Sequence, residues 1–328
     1  MKRKQHDTFP RSVMKLICFL LALILIFLLG ATALFQQILG KIHYTQPTAS
    51  FGTRLTAFVS DLASEGAGKS SGLIGGTGSG IINILLIGQD RREGESGTRS
   101  DSMILCTYHR KTGNVTMTSF LRDLYVPIPG HHSNRINAAY SEGGSELLDD
   151  TLRENFDLHI DGNIEVDFSQ FAQIIDLLGG VELELREDEA AEINKETGSS
   201  FSAGVQNLNG EQALTYSRIR KLDADGDFSR TNRQRKVINA LLGSYRNIKW
   251  KDLLPLMDQL LPLISTDMNY GKLVLLAKEI LPKLSGAQIT NQRIPADGTF
   301  TDEKIDGMAV LSADLEANRQ YLRDTLLN

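Results

Sequence analysis

Cysteine is nearly absent from this 328-residue chain: only Cys18 and Cys106 occur. Cys18 falls in an apolar N-terminal run and Cys106 in a predicted strand, so a bridge between them would have to join lipid to a folded core. Disulfide bracing is therefore excluded, and no Cys/His spacing of the zinc-binding kind occurs. A basic excess is lacking too. The 35 Lys+Arg against 40 Asp+Glu leave a net charge of −5, which argues against a general nucleic-acid binder and allows only local basic pockets. The chain has no internal repeat, no basic helix-turn-helix and no serine or cysteine in a recognisable nucleophile setting. The glycine-rich stretch at 75–80 lacks the lysine–Ser/Thr ending of a phosphate loop and runs into a strand rather than a helix.

What is present begins with a long apolar run. Leu16 to Phe35, LICFLLALILIFLLGATALF, carries no charge and matches the roughly 20 residues a helix needs to cross a hydrocarbon core. Lys2, Arg3, Lys4, Arg11 and Lys15 precede it, opposed only by Asp7, so the positive-inside rule puts the N-terminus in the cytoplasm and the rest outside. Ala31-Thr32-Ala33 resembles a signal-peptide cleavage site, and either reading exports the rest of the chain. The apolar run continues to Phe35, which favours a retained anchor. The expected organisation is a cytoplasmic tail (1–15), a membrane helix (16–35), a stalk and Gly/Ser linker (36–80) and an extracytoplasmic domain (81–328).

The composition, 41% hydrophobic and 23% charged, is that of an ordinary globular domain with a large core. From Ile81 the pattern is α/β. IINILLIG (81–88) reads as a strand buried on both faces, and 102–109 and 114–120 as strands joined by a hairpin-like turn. Helices are expected over 145–157, 169–180, 209–216, 229–245, within 251–284 and over 312–326, with further strands at 164–168, 181–186 and 288–294. The alternation implies a central mixed sheet flanked by helices on both faces.

The chemistry-bearing residues fall at the ends of these elements. Asp90 follows the first strand, Arg99 and Asp101 open the second, and Arg122 and Asp123 follow the third. Strand ends are where α/β sheets bind ligands. Whether these residues meet at one edge depends on strand directions, which sequence does not give. A second set lies in YSRIRKLDADGDFSRTNRQR. There Arg218 and Arg220 are two apart, Arg230 and Gln234 share a helix face, and Asp227 is placed to cap that helix. Arg135 and Asn137, in an expected loop, add a further polar contact.

Arginine binds phosphate oxygens in pairs and stays charged, and clustered guanidiniums repel unless an anion joins them. Aspartates beside them suit a hard divalent cation such as Mg²⁺. The pattern points to displacement at phosphorus. Any single Arg–Asp pair here fits a minor surface ion pair, but the placement of the whole set is what a site requires. Glu182, Glu184, Glu187, Asp188 and Glu189 read as a solvated acidic face, Tyr140 and Tyr216 as packing, and Cys106 as core.

The segments NILLIGQDRR, TRSDSMIL, SFLRDLYVPIPG, RINAAYSEGG, VDFSQFAQIIDLLGGVE and LNGEQALTYSRIRKLDADGDFSRTNRQR together resemble the successive motifs of the LytR-CpsA-Psr family, in order. The resemblance implies an αβα sandwich that transfers a glycopolymer, of teichoic acid or capsule type, from an undecaprenyl-pyrophosphate carrier to peptidoglycan as a phosphodiester. It matches Asp90 and Asp101 to carboxylates that hold Mg²⁺ (or Mn²⁺). It matches Arg99, Arg122, Arg218, Arg220, Arg230 and Gln234 to the pyrophosphate-binding set, and Asp123 to a base or orienting residue for the acceptor hydroxyl. Arg135 stands where many members have lysine. The implied lipid tunnel would draw on Phe168, Phe171, Ile174, Ile175, Leu177, Leu178 and residues 253–264. A polyprenyl-pyrophosphate binding or regulatory membrane protein, or a lipid pyrophosphatase, are the competing readings.

Overall fold

A computed structural model of the chain describes residues 43–44, 73–76, 78–90, 99–245 and 250–327. The expected membrane helix at 16–35 lies outside the described residues. Among the described residues, no helix is long and apolar enough to cross a membrane.

A seven-stranded mixed sheet organises the fold. Its centre is β2 (Ile81–Asp90), β3 (Arg99–His109) and β4 (Val115–Phe120). Across the sheet the order is β1 (His43–Tyr44), β10 (Ser265–Thr266), β7 (Gly162–Asp167), β2, β3, β4 and β11 (Ile289–Ile294). Side chains alternate across the pleat, and both faces are apolar, as the run at 81–88 predicts. Leu85, Ile87, Met103 and Leu105 face one side with Leu148, Leu152 and Phe156 of α1 (Ile136–Phe156). Ile82, Ile104, Tyr108 and Met117 face the other with Ile238 and Leu276. Burial in this second cluster pushes the Cys106 thiol up to about 12, which removes it as a thiolate nucleophile.

Strand direction settles what sequence leaves open. β3 runs antiparallel to β2 and to β4, whereas β7 is parallel to β2 and β11 to β4. The C-terminal ends of β2, β4, β7 and β11 therefore share one edge with the N-terminal end of β3. At that edge Asp90 pairs with Arg99 past a bulge at Gly88/Gln89. The two expected Arg/Asp groups and Asp90 all fall there.

Further elements build outward from the second face. They are α2 (Phe168–Leu177), β8 (Val181–Leu185), α3 (Glu187–Thr197), β9 (Gly204–Leu208), α4 (Gly210–Arg218), α5 (Asp227–Ser244), α6 (Trp250–Leu260) and α7 (Tyr270–Leu284). Capping boxes start α2, from Asp167 and Gln170, and α4, from Asn209 and Gln212. A Cβ at Gly210 would lie 2.1 Å from the Ala172 carbonyl oxygen, and the Gly210 N–H donates to Asp176 Oδ1 at 2.7 Å. This close approach locks α4 against α2 and fixes where α4 ends, at Arg218.

Three expectations change. The segment expected to be a loop around Asn137 is the first half of α1, which is broken at Gly143–Gly144 rather than begun there. The expected last helix is α8 (Leu315–Leu326), and the residues before it form β13 (Met308–Ala313) paired with β12 (Phe300–Ile305). β13 also joins β5 (Leu124–Val126) and β6 (Asn134–Arg135) in a small sheet. Part of the expected linker is folded: Ile74 is buried, its N–H donates to the Asp157 carbonyl at 2.7 Å, and it bridges to Leu158. One isoleucine among glycines is enough to enter the core.

Beneath α1 lies a buried polar network. Glu165 accepts from Gln89 Nε2 at 2.7 Å and from the Tyr140 hydroxyl at 2.6 Å, so Tyr140 does more than pack. Asp149 accepts from Asn163 Nδ2 at 2.8 Å. Burial is the largest influence on the Asp149 carboxyl. The Asn163 hydrogen bond opposes it, but the carboxylates of Asp267, Asp150 and Glu165 add to it, and the pKa rises from 3.8 to about 7. The folded chain therefore keeps a proton where the unfolded chain has lost it, so stability falls as pH rises from about 4 to about 7 and then levels off. Asp149→Asn is expected to flatten this slope, sparing about 4 kcal/mol of loss between acid and neutral pH. Denaturant midpoints measured across that range check it, and an unchanged slope would contradict it.

Candidate active site

A cavity of about 1450 Å³ opens at this edge, between the sheet and helices α2, α4 and α5. Its body is apolar, walled by residues such as Leu86, Ile104, Ile164, Phe171, Ile238 and Leu242. Asp101, Arg122, Arg218, Arg220, Arg230 and Gln234 also line it. Phe168, Phe171 and Ile174 line it as expected, because they recur every third residue on one face of α2. Ile175 points the other way into the core around β8 and β9, and Leu177 and Leu178 are not on the wall. Of the described side chains in 253–264, only Ile264 reaches it.

The arginines converge on one carboxylate. Asp227 Oδ2 accepts from Arg122 Nε at 2.9 Å and from an Arg230 terminal nitrogen at 3.3 Å, and Oδ1 lies 3.2 Å from Arg220 Nε. Asp227 is thus a hub and not the expected cap. Gly226, at φ +49°, takes the N-cap position, and Asp227 is the first helical residue. That places the carboxylate where the helix dipole also favours negative charge. Sequence reasoning missed this role because Asp at a helix start normally caps.

Around the hub each expected residue has a defined setting. A terminal nitrogen of Arg122 donates to Asp101 Oδ1 at 3.2 Å, and Arg122 Nε lies 3.6 Å from Asp123 Oδ2. Burial works against the Arg122 charge, but Asp227, Asp123 and Asp101 outweigh it and raise its pKa above the ordinary value. Arg135 donates to Asp123 Oδ1 at 3.1 Å. Arg230 is 2% exposed, donates to the Asp101 carbonyl at 3.2 Å and leaves its Nε buried without a partner among the described residues. Gln234 accepts from the Ser102 hydroxyl at 3.0 Å. Arg218 stacks on the Phe168 ring at 4.7 Å. The side chains of Asp90 and Arg99 lie outside the described residues; their backbones are the paired rung at the rim.

The segment carrying Arg218 and Arg220 is held from behind. Arg233, buried on α5, donates to the Ile219 carbonyl at 3.3 Å and to Glu189 Oε1 at 2.8 Å, and also binds Asp223. Glu189 is 2% exposed, so it is not part of a solvated acidic face. Its sequence neighbours Glu187 and Asp188 are exposed, whereas Glu189 also closes the first turn of α3 by accepting from the Arg186 N–H at 3.0 Å.

Among the described residues, no three His, Cys, Asp or Glu side chains are grouped to hold a metal. Asp101 does present a carboxylate to the cavity, two residues beyond the rung that carries Asp90. Carboxylate oxygens are the donor type a hard cation takes.

The sequence pattern that defines the LytR_cpsA_psr family matches residues 56–324, and this chain belongs to that family. It is 36% identical over 251 residues to the polyisoprenyl-teichoic acid–peptidoglycan teichoic acid transferase TagU of Oceanobacillus iheyensis, covering 73% of each chain. It is 32% identical over 254 residues to biofilm regulatory protein A of Streptococcus mutans, covering 69% of this chain and 61% of that one. A solved structure of TagT bound to LIIa-WTA superposes with a TM-score of 0.63 at 26% identity, covering 79% of this chain and 97% of TagT.

If Asp227 stands in for an anion, Asp227→Asn leaves three guanidiniums repelling one another. The variant is expected to lose on the order of 1–2 kcal/mol, and inorganic pyrophosphate should narrow the deficit by taking over the neutralisation. Thermal unfolding with and without pyrophosphate checks this. A deficit that the anion leaves untouched would show that Asp227 is only structural.

Proposed function

We propose that this chain transfers a glycopolymer of the teichoic acid or capsule class from an undecaprenyl-pyrophosphate carrier to peptidoglycan, forming a phosphodiester to a muramic acid hydroxyl. The observation that carries the reading is the cavity's division, an apolar body with Arg122, Arg218, Arg220 and Arg230 on its polar wall. A polyprenyl pyrophosphate has the same two parts. The transferase name of the TagU relative and the ligand of the TagT structure support the same reading.

In the proposed reaction the acceptor oxygen attacks the polymer-side phosphorus. The bond from that phosphorus to the bridging oxygen breaks, and undecaprenyl phosphate leaves with the electron pair. Arg122, Arg220 and Arg230 exchange Asp227 for phosphate oxygens and stabilise the charge that builds on the leaving group. Arg218, stacked on Phe168, adds a fourth cation at the lipid side. Asp123, held by Arg135 and close to Arg122, orients the acceptor hydroxyl and takes its proton. Asp90 and Asp101 would hold Mg²⁺ or Mn²⁺, which would neutralise phosphate charge. The apolar run at 16–35 would anchor the chain with this domain outside the cytoplasm, confining the site to the leaflet that carries the donor.

The test is transfer itself. The full chain, with Mg²⁺, a polyprenyl-pyrophosphate glycan and peptidoglycan, should yield the glycan phosphodiester and polyprenyl phosphate. Arg122→Ala should lower kcat/KM by about 10²–10³, and Asp101→Ala should also slow transfer. Release of free glycosyl phosphate would identify a pyrophosphatase instead, and donor bound but unchanged in the presence of acceptor would identify a binding or regulatory protein.

A further inference from the structure

A second arginine site lies beside the hub and has no part in the proposed displacement at phosphorus. Arg235 on α5 is 6% exposed. One terminal nitrogen donates to the Ser119 hydroxyl, and its Nε is buried without a partner among the described residues. The charge that bears on it is another cation. Its pKa is pulled down to about 10, first by burial and then by the Arg293 guanidinium, so it still carries its charge at neutral pH. A buried cation with no carboxylate partner among the described residues, under the influence of a second cation, is costly in a folded protein. An oxyanion between them removes that cost.

The second cation is placed to share such an anion. Arg293 on β11 pairs in register with Ser119 on β4, the residue that Arg235 engages. Its guanidinium stacks over the Phe228 ring at 4.4 Å and is tied to Asp297, a carboxylate 91% exposed and so easily exchanged. Arg293 keeps 22% of its side chain exposed, which leaves a way in. Phe228 directly follows Asp227, and β11 is the strand next to β4, about 5 Å away. The pair is therefore adjacent to the hub. Arg235 is not on the cavity wall.

We infer that Arg235 and Arg293 form a second oxyanion subsite that holds the non-lipid side of the reaction, and this rests on the transfer reading. Its ligand is a phosphodiester or a carboxylate. The first would come from the polymer beyond the reacting phosphorus, the second from the peptide on the acceptor strand. Binding there aligns one partner while the hub holds the pyrophosphate.

The experiment uses the full chain and Arg235→Met, which removes the charge but fills a buried position. In transfer assays the variant should raise KM for one substrate about tenfold while kcat changes little. If the rise vanishes with a donor whose glycan has no internal phosphodiester, the polymer is the ligand. If it vanishes with an acceptor lacking peptide carboxylates, the acceptor is. Unchanged KM for both substrates would overturn the inference. A second measurement is independent of transfer: stabilisation by inorganic phosphate against chloride of equal ionic strength. Part of it should survive in Arg220→Ala and be lost in the Arg220→Ala/Arg235→Met double variant. If wild type transfers nothing but this pattern holds, the reaction is misassigned and the subsite stands. If the double variant responds to phosphate as Arg220→Ala does, Arg235 is structural only.

Discussion

The carboxylate of Asp227 holds Arg122, Arg220 and Arg230 within about a hydrogen bond of one point. Three guanidiniums do not gather at a half-buried spot unless negative charge gathers with them. In this fold a single side chain supplies much of it, at the first turn of α5, where the helix dipole assists. That geometry is what a doubly or triply charged anion would find on arrival. The cations are already oriented, and the group that holds them can be displaced.

The sheet makes this possible. Because β3 runs against both neighbours, its start and the ends of β2 and β4 lie at one edge, and Asp90 and the two Arg/Asp groups share it. The second face then contributes from its own elements. Gly210 seats α4 against α2 so that Arg218 emerges over Phe168, and Arg233 grips the backbone at Ile219 between the two arginines of that segment. A single buried ion-pair group, Arg233 with Glu189 and Asp223, thereby transmits the packing of α3 and α5 to the cavity wall.

Much of this was legible in the sequence, and the rest was hidden for physical reasons. The strand runs at 81–88, 102–109 and 114–120 and the helix faces of α2 and α5 could be read from periodicity, and the site arginines from their position at element ends. Their convergence could not, because strand direction is a property of the whole sheet. Asp227 looked like a cap because caps are local, whereas its three partners come from the β4–β5 turn, the α4–α5 connection and α5. Glu189 looked like its exposed neighbours, since its buried partner Arg233 is 44 residues away and its local bond, from the Arg186 N–H, depends on where α3 starts. The break at Gly143–Gly144 hid the first half of α1, and the β12–β13 hairpin is short and polar on one face.

The central claim is that the hub is a locus for pyrophosphate and the apolar cavity a place for the lipid attached to it. The most direct measurement is calorimetric binding of one polyprenyl chain in three forms: pyrophosphate, monophosphate and alcohol. Affinity is expected to fall by about tenfold or more at each loss of a phosphate, and the steps to shrink when Arg220 is replaced by alanine. Equal affinity for the pyrophosphate and the alcohol would contradict it, because the arginines would then contribute nothing to recognition.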